Sequence, residues 1–210
     1  MTDPSSAQLG FDALLDTADR DNRARTFARE SAHLPSTMDQ ALPFYRALLD
    51  RHHAAMLAAD AGETMRLRRE AHNLARRVNG GDTAILAGPD APGRVLERET
   101  DAAPGAIPLW GQSGAFTLAL DRMRVLVEMQ GIFGIAAAHC FWPGFAARAV
   151  CAGEPFLSPT GYRSFLGLAA DPQPGLLPDA FARKAIAAYV EGQLKGRLVA
   201  IEPRYREDSG

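Results

Sequence analysis

Three of the five histidines fall in the segment 51–72, beside acidic side chains that could share a metal ion or a proton with them. The pattern predicts two antiparallel helices joined by a tight turn, with His52 or His53 level with Glu70 and His72. Metal sites in helical bundles place Glu and His on one helix face, as in Glu-x-x-His. Glu70 and His72 are two residues apart, about 200° around a helix, so they cannot share a face. We therefore predict a packing hairpin with His52 in its apolar seam, and no metal.

The second helix of this hairpin is rich in arginine and carries only two glutamates. Its basic residues are Arg66, Arg68, Arg69, Arg76 and Arg77. A run of arginines on one helix can follow nucleic-acid phosphates, so the Arg66–Arg77 helix is one candidate interface. Because no aromatic residue is interleaved and acidic partners are near, we interpret the run as a solvated outer face.

The segment 158–165, Ser-Pro-Thr-Gly-Tyr-Arg-Ser-Phe, is the predicted loop that is densest in polar side chains. It contributes Ser158, Thr160, Tyr162 and Arg163 around a predicted Thr-Gly turn. An arginine beside backbone N–H groups can hold an anion, so these four residues form a predicted ligand- or anion-binding site. The alternative is a capped turn with a surface arginine.

Three further residues could border the same pocket. Trp110 and Gln112 lie in Leu-Trp-Gly-Gln-Ser-Gly, which matches neither a phosphate-binding loop nor a nucleophile elbow, and His139 could act as an acid or base. His139 precedes Cys140, but neighbours on a strand point to opposite faces, which argues against a thiol–imidazole dyad. No cofactor is predicted.

Composition indicates an ordinary soluble globular protein. The 210 residues are 47% hydrophobic and 23% charged with a formal net charge of −2, which argues against general nucleic-acid coating. Only Lys184 and Lys195 are lysines, which indicates GC-rich bacterial coding. Cys140 and Cys151 are too few for a zinc site, and we expect both to be reduced. With no signal peptide and no stretch of about 20 apolar residues, we expect a cytoplasmic protein without a membrane partner.

Helical periodicity dominates the first part of the chain, residues 1–80. Its first helix is predicted at 11–29, with Phe11, Leu14, Leu15, Ala18 and Phe27 at helical spacing. The second runs from the helix-start signals at Ser36 and Asp39 to about residue 60, and the third covers 63–78. Residues 81–114 are crowded with Gly and Pro and are predicted as a linker or covering loop, with one short strand at Arg94–Arg98.

Residues 115–210 change to a two-residue periodicity. A hairpin closing over Asp121-Arg122 pairs residues 120 with 123, 118 with 125, and 116 with 127, all apolar and on one face. A second hairpin over Gln130-Gly131 predicts a third strand through Ala138. A strand at Phe145–Val150, a helix from Leu177 to Leu194 and a closing strand in Arg-Leu-Val-Ala-Ile-Glu-Pro complete the prediction.

These elements predict an α+β fold. It combines an N-terminal three-helix segment, containing an antiparallel helical hairpin, with a C-terminal antiparallel β-meander and one packing helix. Because no strong catalytic constellation is present, we favour a non-catalytic module that binds a small ligand or a protein, including a second copy of itself. One alternative is an enzyme with a polar pocket near Tyr162-Arg163, and the other is nucleic-acid binding through the arginine helix.

Overall fold

The computed structural model describes residues 4–121 and 123–206, with the side chains of residues 4–14 and 16 left outside that description. Arg122, predicted in the first hairpin turn, and the side chains of Phe11 and Leu14 therefore lie outside the described residues. The described part contains five α-helices and a four-stranded antiparallel sheet, which confirms the α+β class with a β-meander.

The N-terminal region is helical, as the periodicity predicts. Its helices are α1 (Pro4–Glu30), α2 (Met38–Leu57) and α3 (Ala61–Val78). The α2–α3 pair is the predicted hairpin, and α3 begins where the Asp60 carboxylate accepts a hydrogen bond from the Glu63 N–H at 2.9 Å. None of the described helices is long and apolar enough to cross a membrane.

The predicted short strand at Arg94–Arg98 is wrong, because this stretch is the helix α4 (Pro92–Arg98). Proline is favoured in the first turn of a helix, where its missing N–H would have no intrahelical partner. Leu96 of α4 is fully buried in the helical core, so helical packing overrides the weak strand signal.

The sheet has the order β1-β2-β3-β4, formed by β1 (Gly114–Leu120), β2 (Met123–Met129), β3 (Phe145–Ala149) and β4 (Tyr162–Phe165). The register of the first hairpin is confirmed, with pairs 120–123, 118–125 and 116–127. These pairs place the apolar side chains of both strands on the inner face, as alternation requires.

The predicted third strand over residues 132–138 is wrong. Residues Ile135–Ala138 form a 3₁₀ helix, and β2 pairs instead with β3, so that Val127 lies opposite Ala147. Ile132 and Phe133 are buried among the helices rather than in the sheet core. Alanine and glycine fit a helix turn as easily as a strand face, so the apparent alternation carried little information.

The last part of the chain supplies both an unexpected strand and the expected helix. The Tyr-Arg-Ser-Phe stretch, predicted as a loop, is the edge strand β4, whereas the predicted closing strand reduces to one bridge between Phe156 and Val199. The helix α5 (Pro178–Gly192) packs Phe181 and Ile186 into the core that also contains the inner face of the sheet.

Two buried clusters divide the hydrophobic core. One consists mainly of helix residues, and the other of the sheet, α5 and Trp110. Each cluster also contains a residue from the other part of the chain: Met56 of α2 belongs to the sheet cluster, and Phe133, which follows β2, belongs to the helical cluster. The division of the chain at residues 80 and 114 stays a prediction.

Candidate functional site

His52 is fully buried and hydrogen-bonded through both ring nitrogens. Its Nδ1–H donates to the Trp110 carbonyl at 2.8 Å, and its Nε2 accepts from the Arg68 Nε at 3.0 Å. These partners require the neutral ring, because a protonated ring would have no acceptor nitrogen for the guanidinium. The prediction that His52 lies in the packing seam is confirmed.

His53 contacts the same loop from the next position of α2. Its Nδ1 accepts from the Trp110 N–H at 3.0 Å, so the two adjacent histidines bind both main-chain groups of Trp110. Gly111 makes this approach possible: its φ is +91°, and a Cβ there would lie 2.6 Å from the His52 Nδ1.

Arg68 corrects the prediction of a uniformly solvated arginine face, since only 2% of its surface is exposed. Its guanidinium donates to the carbonyls of Ala137, Cys140 and Phe141 at 2.9, 2.6 and 2.8 Å. Five fixed donors on a long stem suit this role, because one side chain can satisfy several buried carbonyls. We refer to His52, His53, Arg68 and Trp110 as the hairpin junction.

Burial lowers the pKa of both ionisable groups at the centre of the junction. Loss of solvent, reinforced by the charge of Arg68, lowers the pKa of His52 to about 4. Burial also lowers the pKa of Arg68 to about 10, which leaves it charged at neutral pH. The junction therefore holds one cation whose hydrogen-bond acceptors are backbone carbonyls and a neutral imidazole.

Glu70 and His72 have separate partners, as their spacing predicts. Glu70 pairs with Arg51 at 3.1 Å and with Arg66 at 2.6 Å, whereas the Nδ1 of His72 bonds to the Arg68 carbonyl at 2.9 Å. In the described part of the chain, no three His, Cys, Asp or Glu side chains converge as a metal site would need.

The remaining arginines of α3 do not form a continuous free surface. Arg66 also pairs with Glu63 at 2.6 Å, and Arg76 donates to the Gly81 carbonyl at 2.7 Å while its guanidinium lies 3.9 Å from the Phe27 ring centroid. Arg69 is exposed and has no ion pair among the described residues. Among the described contacts, only Arg66 of the five α3 arginines pairs with carboxylates, while Arg68 and Arg76 donate to main-chain carbonyls.

The hydroxyls of the predicted anion site bind the chain itself. Ser158 and Thr160 both donate to the Tyr162 carbonyl, at 2.7 and 3.2 Å, and Thr160 accepts from the Tyr162 N–H at 3.3 Å. Gly161, with φ +69°, makes the turn that leads into β4. These three residues therefore match the alternative of a capped turn.

Tyr162 and Arg163 point to opposite faces of the sheet because they are neighbours on a strand. On the outer face, the Arg148 guanidinium lies 4.8 Å from the Tyr162 ring centroid. On the inner face, Arg163 lies 4.4 Å from the ring centroid of Tyr189 in α5. The two residues cannot contribute to a single pocket on one face.

Arg163 borders a cavity of about 530 Å³ between β4, α5 and the segment 166–176, which we call the α5 groove. Trp142, Phe165, Phe181 and Tyr189 supply its aromatic surface. Two cations, Arg163 and Lys184, lie at this apolar surface. Lys184 donates to the Gln173 amide oxygen at 2.9 Å. Within the described residues, neither cation pairs with a carboxylate.

Of the seven predicted site residues, only Arg163 lines this groove. Trp110 lies behind it, with its indole N–H donating to the Leu176 carbonyl at 2.8 Å. The side-chain amide of Gln112 stabilises its own loop, since its oxygen accepts from the Leu109 N–H and its nitrogen donates to the Thr100 carbonyl. His139 is exposed at the end of the 3₁₀ helix.

Sequence reasoning missed Lys184 and Tyr189 as site residues, because residues 177–194 are predicted only as a packing helix. One signal was present: small residues at Ala185 and Ala188 lie between two aromatic positions of α5, which leaves space along that helix face. The aromatic floor required the tertiary structure, since Trp142 and Phe181 are 39 residues apart and their stacked rings lie 4.7 Å apart.

A second polar region lies at the end of α4. Burial raises the pKa of Glu97, and the charge of the nearby Asp101 raises it further. Burial also raises the pKa of Asp101. Glu97 remains within 3.4 Å of Arg94 and 3.5 Å of the Ser113 hydroxyl. Its contacts are thus made within the chain.

The fold and the groove together define an α+β protein with an aromatic, cationic groove beside an edge strand. Protein KlcB of Escherichia coli is 36% identical to the chain over 180 residues, which cover 84% of this chain and 42% of that protein. A second Protein KlcB of Escherichia coli is 35% identical over 159 residues, or 68% and 33% of the two chains. The chain thus spans less than half the length of these curated relatives. No protein-family model matches it. No solved structure matches it either.

Proposed function

We propose that the chain acts as a non-catalytic binding module and that the α5 groove is its ligand site. The ligand has an apolar body and an anionic group. The observation that carries this proposal is the position of Arg163 and Lys184, two cations without carboxylate partners in the described structure, at the rim of an aromatic cavity.

The dimensions and composition of the groove support a ligand of this class. A volume of about 530 Å³ falls within the range of roughly 300–1,000 Å³ that is typical of ligand pockets. Such pockets combine apolar walls with a few polar groups that orient the ligand. Arg163 is suited to a planar carboxylate or a phosphate, because its guanidinium can donate two parallel hydrogen bonds.

The contacts elsewhere in the chain favour binding over the two alternatives. The enzyme hypothesis expected Trp110, Tyr162, Arg163 and His139 around one pocket, but only Arg163 borders the α5 groove. The nucleic-acid hypothesis needed a free arginine face on α3, and Arg68 is buried there while Arg66 is ion-paired. The α5 groove keeps its cations available for a ligand.

The test uses 8-anilinonaphthalene-1-sulfonate, an anionic aromatic probe whose fluorescence rises in apolar sites, and its uncharged analogue N-phenyl-1-naphthylamine. The wild-type chain should bind the anionic probe saturably at one site and more tightly than the neutral one. Arg163→Ala and Lys184→Ala should each lower the affinity for the anionic probe by roughly 3- to 10-fold, which corresponds to about 1 kcal/mol.

The matched control is Arg148→Ala, because Arg148 also stacks on a tyrosine but lies on the opposite face of the sheet. It should leave probe affinity unchanged. If Arg148→Ala and Arg163→Ala lost the same affinity for the anionic probe, or if the charged and neutral probes bound equally well, the α5 groove would not be the anion-binding site.

A further inference from the structure

The two edge strands of the sheet differ in how their outward main-chain groups are bonded. Three outward carbonyls at β1 are bonded by other parts of the chain. The donors are the N–H of Ala102 (to Ser113, 2.9 Å), the N–H of Gly105 (to Ala115, 3.3 Å) and the guanidinium of Arg183 (to Ala119, 3.0 Å). Covering of this kind protects an edge strand from pairing with another chain, but at β1 it is partial, because no group in the described part of the chain bonds the outward N–H and carbonyl of Thr117.

The β4 edge is covered over only half its length. The Ala149 N–H donates to the Gly161 carbonyl at 2.8 Å. Because successive residues of an antiparallel strand direct their main-chain groups alternately to either side, Arg163 and Phe165 direct theirs to β3. Tyr162 and Ser164 direct theirs outward. The outward groups of Tyr162 are bonded by Ser158 and Thr160, whereas no group in the described part of the chain bonds the outward N–H and carbonyl of Ser164.

The uncovered part of this edge borders the α5 groove. Arg163 and Phe165, on either side of Ser164, direct their side chains to the α5 face and line the groove. A strand added beside β4 would exchange main-chain hydrogen bonds with Ser164, and its two flanking side chains would lie beside Arg163 and Phe165. Addition of a strand to an exposed edge is an established mode of peptide recognition.

We propose that the occupant of the α5 groove is an extended acidic peptide segment of a partner protein, which adds to β4 as a fifth, antiparallel strand at Ser164. This inference rests on the proposed function of the groove. The segment has an acidic residue beside Arg163 and an apolar residue beside Phe165. Charge disfavours a second copy in this place, since a twofold pairing at Ser164 would bring Arg163 and Lys184 of both copies to one face.

The probe is a fluorescein-labelled pentapeptide amide, Ser-Leu-Thr-Glu-Ser, which places Leu beside Phe165 and Glu beside Arg163 in the antiparallel register. Fluorescence polarisation with the full 210-residue chain should show saturable binding. Methylation of the threonine amide nitrogen keeps every side chain but removes the donor to the Ser164 carbonyl. It should weaken binding at least 10-fold, as should replacing Glu by Lys in the peptide.

Variants of the protein test the same contact from the other side. Ser164→Pro removes the outward N–H without removing a ladder hydrogen bond, as proline does at edge strands, and should weaken the peptide at least 10-fold. Ser164→Ala keeps the main chain and should bind like the wild type. Should Ser164→Pro fail to fold by circular dichroism, the methylated peptide on the wild-type chain decides alone.

The naphthalenesulfonate probe separates this proposal from the proposed function. Probe binding that depends on Arg163, combined with a peptide that does not bind or that tolerates methylation, would overturn strand addition and leave the groove as a ligand site. Failure of both ligands would overturn both proposals. Light scattering could also show that the wild type is a dimer and that Ser164→Pro is a monomer. This result would overturn the peptide proposal, because a second copy would then occupy β4.

Discussion

The hairpin junction and the α5 groove each contain an arginine, but the two arginines differ in where they find their partners. At the junction, Arg68 donates to one buried and two partly buried carbonyls and to His52, so its donors are largely used within the chain. In the groove, Arg163 is exposed and stacks on Tyr189 without an ion pair in the described structure. The polar side chains of the hairpin junction therefore stabilise the fold, whereas those of the α5 groove remain free to bind a ligand.

His52 and His53 are poor candidates for chemistry because their acceptor nitrogens already have partners. A metal ligand or a general base needs a free lone pair. The acceptor nitrogen of His52 is taken by Arg68, and His53 uses its Nδ1 on the Trp110 N–H. The junction instead connects the helical hairpin to the loop before β1 and to the segment between β2 and β3.

The largest expected effect comes from replacing the buried cation. Arg68→Met should lower the free energy of unfolding by roughly 3–5 kcal/mol, because one buried carbonyl, two partly buried carbonyls and the buried His52 lose their donor. Urea unfolding measures this loss. The neighbouring exposed Arg69→Met is the control and should change stability by less than about 0.5 kcal/mol. Similar values for the two variants would mean that the junction contributes no more than a surface arginine does.

The second prediction concerns acid. The pKa of His52 is about 4 in the folded chain and about 6.5 when unfolded, so between these values the unfolded state binds the extra proton. Stability from this group is therefore fully present above pH 6.5 and is lost as the pH falls to 4, by on the order of 3 kcal/mol.

The measurement is urea unfolding at a series of pH values, with His52→Gln compared to the wild type. Glutamine keeps one donor and one acceptor but does not titrate, so the variant should lose most of the pH slope between 6.5 and 4. Exposed His33→Gln should keep the wild-type slope. A slope that persists in His52→Gln would assign the acid sensitivity to other groups.

The third prediction uses a matched pair of glycines. Gly111 and Gly105 both have positive φ, +91° and +79°, but a Cβ would meet His52 at 2.6 Å only at Gly111 and finds open space at Gly105. Gly111→Ala should therefore be more destabilising than Gly105→Ala by roughly 1–3 kcal/mol, the cost of overpacking. Thermal unfolding of both variants gives the difference. Equal losses would mean that the loop moves away from His52 without cost.

The smallest expected effect on stability belongs to the groove. Arg163→Ala should change the free energy of unfolding by less than about 1 kcal/mol, since it removes one exposed cation–π contact. The same variant should weaken the naphthalenesulfonate probe several-fold. A large loss of stability would place Arg163 with Arg68 as a structural residue and would remove the distinction between the two regions.

Local patterns predicted a large part of the fold. The α2–α3 hairpin, the β1–β2 register and α5 depend on periodicity, turns and helix-start signals that neighbouring residues carry. The predictions for residues 132–138 and 94–98 were wrong because alanine, glycine and a short apolar stretch fit more than one element. Packing against the helices then decided both stretches.

The candidate site was only partly predictable, for a physical reason that Arg68 and Arg163 illustrate. The sequence by itself placed Arg68 on a helix and Arg163 in a donor-rich turn. Only the tertiary structure decided that the carbonyl acceptors of Arg68 come from about 70 residues away, while Arg163 shares a groove with α5 and with Trp142. Hydrogen bonding and desolvation depend on which distant groups meet a side chain, and residue type and spacing do not specify that.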